Sequence, residues 1–73
     1  MKTIEFRGIE VEYDEKCPKS YTWQKLVNRN DITAIERLFL GHDEDVAEQL
    51  GDDADAMQEL VLAIITESRA AKN

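Results

Sequence analysis

The sequence is short of basic residues, cysteine and glycine, and each shortage removes a class of function. Lysine and arginine number 9 against 16 aspartates and glutamates, a net charge of -7. Nucleic acid binding needs a basic surface to displace counterions from phosphates, so this balance argues against a nucleic acid partner. It argues equally against anionic membrane surfaces. The one cysteine, Cys17, has no second thiol for an internal disulfide, and the expectation is a cytoplasmic protein without covalent staples. The longest apolar run, Leu60 to Ile65, falls far below the roughly 20 residues that span a bilayer. The opening MKTIEFRG has no apolar signal core, because Glu5 and Arg7 interrupt it. Gly8, Gly41 and Gly51 are isolated from one another and make no phosphate-cradling loop.

What is present is periodicity. In TIEFRGIEVEY, residues 3–13, apolar and acidic side chains alternate. Ile4, Phe6, Ile9, Val11 and Tyr13 share one face, and Glu5, Glu10 and Glu12 share the other. Arg7-Gly8 divides the run, and Gly8 supplies the positive φ of a tight turn. A two-residue loop sets Phe6 against Ile9 and Glu5 against Glu10; a type I turn with a glycine bulge shifts that pairing. Two strands alone are marginal in water, so the apolar face must dock on the helices that follow.

Those helices are announced by caps and stripes. Residues 14–19, DEKCPK, read as a linker, with Pro18 disfavouring helix at Cys17. Ser20 is the expected N-cap of a helix carrying Trp23, Leu26 and Val27. Asn30 or Asp31 caps the next, with Ile32, Ile35, Leu38 and Phe39 as its stripe and Gly41 as its C′ residue. Asp43 opens a short acidic helix with Val46 and Leu50 inward, closed by Gly51. Asp53 or Asp55 starts the longest helix, whose stripe is Met57, Leu60, Val61, Ile64 and Ile65, with Arg69 and Lys72 near its C-terminus. The expected architecture is α+β: an N-terminal two-stranded antiparallel hairpin over about residues 2–13, with three or four helices packed on it. The helices fall over about 20–29, 31–40, 43–50 and 53–71, in one domain, 1–73. A chain of this size buries only about 60% of its unfolded surface, so a partner or a second copy would add useful burial, and a homo-oligomer is open.

Candidate chemistry is sparse. His42 beside Asp43 lacks a nucleophile with a supporting motif, and geometry, not a local pair, defines a triad. Cys17 lies near Lys16 and Lys19, which would lower a thiol pKa, but the plainer reading is a free thiol in a linker. In HDEDVAEQLGDDAD, an EF-hand counted from Asp43 needs glycine where Glu48 stands and glutamate where Ala54 stands. Counted from Asp53, those positions hold Gln58 and Ile64, so neither frame fits and no metal is expected. Tyr21 and Trp23 could stack on a ligand, although one tryptophan on an apolar helix face usually belongs to the core. No cofactor is expected, and the chain does not read as an enzyme. The remaining candidates are Glu5, Glu10 and Glu12. They form a solvated face that discourages edge aggregation, or they meet a basic surface on a protein partner.

The opening KTIEFRGIEVEYDEKCPKSYTWQKL resembles the start of small tail assembly chaperones of long-tailed bacteriophages and prophages. The resemblance lies in Phe6-Arg7-Gly8, then Ser20, Trp23 and Leu26. Further on it lies in Leu40-Gly41, the acidic segment and the alanine- and isoleucine-rich terminal helix over residues 54–71. It implies a non-enzymatic protein of the bacterial host cytoplasm that associates with the tape measure protein and the tail tube subunit. Such a protein keeps aggregation-prone helical segments soluble until the tube polymerises. It also implies that a chain ending at Asn73 is the shorter of two products of programmed frameshifting. A competing reading is an acidic regulator, antitoxin-like or anti-host, that neutralises a basic partner.

Overall fold

The alternation over residues 3–13 closes into a hairpin with the shorter of the two expected loops. Strand β1 spans Lys2–Phe6 and β2 spans Ile9–Tyr13, in a computed structural model that describes residues 1–70. The pairing is antiparallel, with Phe6 opposite Ile9, Ile4 opposite Val11, Glu5 opposite Glu10 and Thr3 opposite Glu12. Arg7 and Gly8 have φ of 53° and 85°, the two left-handed residues that a type I′ turn requires. That turn follows the right-handed strand twist, which removes the bulged alternative.

Five helical pieces follow: a 3₁₀ turn at Cys17–Lys19, then α1 (Tyr21–Asn28), α2 (Ile32–Leu38), α3 (Asp43–Gln49) and α4 (Ala54–Ala70). The chain is thus an α+β arrangement of one hairpin and four α-helices. Helices α1, α2 and α3 end slightly inside their expected bounds, and α4 starts one residue inside its own. Residue 71 and Lys72, expected in the last turn, lie outside the described residues. Ser20 caps α1 as expected, and of the two candidates for each later cap the structure uses Asp31 and Asp53. Trp23 N–H donates to Ser20 Oγ at 3.2 Å, Thr33 N–H to Asp31 Oδ1 at 3.0 Å, and Asp55 N–H to Asp53 Oδ1 at 2.9 Å. The segment read as a linker does more than connect: its 3₁₀ turn buries Cys17 and Pro18.

Helices α1, α2 and α3 close by the same device, a long backbone bond across a left-handed residue. Asp31 N–H donates to the Leu26 carbonyl, Gly41 N–H to Glu36 and Asp52 N–H to Ala47, at 2.7–2.9 Å. The left-handed residues just before these donors are Asn30, Leu40 and Gly51. The expected C′ residue of α2, Gly41, therefore sits one place too late, and Leu40 takes the position with φ of 56°. The Leu38 carbonyl accepts from Asp14 N–H at 2.8 Å and ties the end of β2 to the end of α2. A branched apolar side chain is disfavoured in this region, where asparagine is tolerated. Leu40→Asn, copying Asn30, should raise stability by about 0.5–1 kcal/mol, read from the urea midpoint. Leu40→Val should lower it by about 1–2 kcal/mol, because β-branching suits that backbone least.

The core joins both layers. Ile4, Val11 and Tyr13 of the hairpin meet Trp23, Leu38, Phe39, Val46 and the α4 stripe of Met57, Leu60, Val61, Ile64 and Ile65. Trp23 is 1% exposed, and its indole N–H donates to the Ala34 carbonyl at 2.8 Å. This bond ties α1 to α2. The inward face of α2 is Ala34 and Leu38, continued by Phe39 beyond the helix end. Ile35 is only half-buried, and Ile32, expected in the core, is exposed. Among the described residues no helix is long and apolar enough to cross a membrane.

Candidate functional site

The hairpin presents its three candidate carboxylates together. Glu5, Glu10 and Glu12 are all exposed on the face opposite the core, with Thr3 the fourth residue of that face. Glu5 stands directly across from Glu10, a like-charge pair that costs about 0.2–1 kcal/mol in a sheet. The nearest cation in sequence does not relieve it. Arg7 instead pairs with Glu59 of α4 and lies over the Phe6 ring, 5.2 Å from its centroid. Among the described residues none of the three carboxylates has an ion-pair partner.

The other sequence candidates disperse. His42 Nδ1 lies 3.8 Å from Asp45, not paired to Asp43, and both side chains are exposed. Cys17 is buried, and desolvation, reinforced by Asp14, pushes its thiol pKa up against a smaller opposing effect of Arg37. The neighbouring Lys16 and Lys19 do not set its pKa, in keeping with the plainer reading of a free thiol. Burial likewise raises the Tyr13 hydroxyl, helped by Glu67 and Glu15. Trp23 is in the core while Tyr21 is exposed with the Lys25 ammonium 5.7 Å from its ring centroid, so the two do not form a stacking site. Among the described residues no three histidine, cysteine or carboxylate groups are placed to hold a metal ion.

One concave apolar surface remains. A groove of about 500 Å³ runs between α2, α3 and α4, floored by Ile35, Ala47, Met57 and Val61. Ile32 and Leu62 stand on its lining and are 61% and 60% exposed. Among the described residues its charged rim is wholly acidic: Asp31, Asp43 and Glu44. The Thr33 amide holds the Asp31 carboxyl below the ordinary carboxylate range, so it stays charged at neutral pH. Arg29 is the cation near this rim, 3.9 Å from Asp31 and largely exposed. A second depression, about 610 Å³, lies over Cys17 and Trp23, but its rim mixes Asp14 and Glu36 with Lys16 and Arg37 and favours neither sign.

No known protein family, curated protein or solved structure matches this chain.

The groove was only partly visible in the sequence. Ile32 is legible as apolar but is expected in the core. Leu62 stands outside the α4 stripe, and an unassigned leucine on the outer face of a helix was the available signal. No periodicity argument brings these two residues, thirty positions apart, to one surface. That depends on how α2 and α4 pack, which the indole–carbonyl bond at Ala34 helps to set.

Proposed function

We propose that this chain is a protein-binding module acting as a tail assembly chaperone of a long-tailed bacteriophage or prophage. The observation that carries the protein-binding part is the exposure of Ile32 and Leu62 along an apolar groove with an acidic rim. Large exposed apolar side chains gathered at one concavity, with a polar rim, mark interaction surfaces. The tail-assembly part is supported by the resemblance. The residues that carry it do structural work: Arg7-Gly8 makes the turn, Ser20 caps α1 and Trp23 fills the core. On this reading the partners are the tape measure and tail tube proteins, met in the bacterial host cytoplasm. A net charge of -7 keeps the loaded module soluble.

Co-expression tests the reading directly. A tape measure fragment that aggregates alone should move to the soluble fraction with this chain and co-purify with it; a fragment that stays insoluble ends the chaperone assignment. The acidic hairpin face gives a second expected result. Reversing Glu5, Glu10 and Glu12 to lysine should leave the chain folded, with its circular dichroism melt shifted by no more than about 10 °C, because exposed substitutions stay within about 0.5 kcal/mol each and 1 kcal/mol moves a chain of this size by about 4–8 °C. The same triple variant should lose partner capture, since complementary charge steers encounter and fixes register. Undiminished capture would remove these three residues from the interface. The alternative of an acidic regulator is favoured by the same unpaired carboxylates. It requires tight, salt-sensitive binding to a basic protein in the absence of any rescue.

A further inference from the structure

We infer that the groove between α2, α3 and α4 is the seat of an amphipathic helix with a basic flank, contributed by a partner protein. The inference rests on the protein-binding reading above and names the site and the chemistry of the occupant. The groove is lined by side chains of packed helices, and its apolar floor of Ile35, Ala47, Met57 and Val61 continues onto the exposed Ile32 and Leu62. A surface of that kind accepts the apolar stripe of another helix, read as anchors at i, i+3 or i+4, and i+7.

Charge selects the occupant. Asp31, Asp43 and Glu44 are the charged groups on the groove lining, and all are acidic. Lysines or arginines flanking the stripe would meet them. Arg29 beside Asp31 is the opposing charge, and it is largely exposed. A second copy of this chain fits poorly, because it would bring the same acidic rim and a net charge of -7 towards its equal.

The probe is a labelled synthetic helix of about 18 residues with leucine at i, i+3, i+4 and i+7 and lysine elsewhere. Two controls accompany it: the same composition scrambled to destroy the stripe, and the same stripe with glutamate in place of lysine. Fluorescence anisotropy at physiological salt should show saturable 1:1 binding of the leucine–lysine helix only. Ile32→Ser/Leu62→Ser changes two exposed side chains, and its melt checks that it folds. It should weaken binding about tenfold or more. Asp43→Asn/Glu44→Gln should weaken it several-fold and flatten its salt dependence. Equal binding of the scrambled or the glutamate peptide overturns the inference, and so does wild-type affinity in the folded Ile32→Ser/Leu62→Ser variant. A dimer in sedimentation that dissociates in that variant overturns it too, since the groove then holds a second copy. The co-expression test stays separate. Rescue of a tape measure fragment without peptide binding sinks the groove and keeps the chaperone reading, whereas groove binding without rescue does the opposite.

Discussion

Trp23→Ala should leave the chain largely unfolded at 37 °C. The indole is 1% exposed and is the largest fully buried side chain. Truncating a buried tryptophan costs about 3–5 kcal/mol, from lost transfer energy and the cavity left behind. A chain of 73 residues has a total of only roughly 4–11 kcal/mol to lose. The variant also removes the donor to Ala34, the bond that sets α1 against α2. Trp23→Phe separates the two contributions. It keeps most of the apolar volume and loses the 2.8 Å hydrogen bond, so the expected cost is about 1–3 kcal/mol. Urea unfolding followed by far-ultraviolet circular dichroism reads both variants, since the tryptophan signal itself is gone. A Trp23→Ala variant with a near-wild-type midpoint would mean that the indole does not organise this core.

Trp23 also shows where sequence reasoning works in this chain and where it stops. Its membership of the core follows from helical spacing and from the scarcity of other large aromatics. The Arg7-Gly8 turn, the caps at Ser20, Asp31 and Asp53 and the α4 stripe are equally local, and each is legible because its cause lies within a few residues. The misplacements have causes that lie farther away. Leu40 precedes Gly41 in the left-handed region, at a helix end that the bond from Asp14 N–H to the Leu38 carbonyl ties to a segment twenty-four residues before Leu38. Ile32 is exposed while Ala34 faces the core, beside the place where the Trp23 indole of α1 bonds the Ala34 carbonyl. Cys17 is buried because a 3₁₀ turn, unannounced by any periodic pattern, folds Pro18 onto the core. The candidate site divides in the same way. The carboxylate face follows from strand alternation, while the groove is assembled from three helices and has no local signature.

Leu60→Ala and Leu62→Ala should differ by about 2 kcal/mol or more in stability, although the residues are two positions apart on one helix. Leu60 is 0% exposed and packs in the core, and removing its branched end should cost about 2–5 kcal/mol. Leu62 is 60% exposed, and its truncation should fall within about 0.5 kcal/mol of wild type, helped slightly by the higher helix propensity of alanine. Here Trp23 is retained, so tryptophan emission and circular dichroism can both follow unfolding, and coincident curves support a two-state reading. The pair discriminates because both changes delete the same atoms. Any difference comes from which face of α4 is turned inward. If Leu62→Ala proves as costly as Leu60→Ala, then Leu62 is covered in the folded chain and the groove is not an open surface. If Leu62→Ala is silent in stability yet weakens capture of a partner helix, the leucine is retained for contact with another molecule. An exposed leucine that contributes nothing to its own fold is otherwise a liability in so small and so acidic a chain.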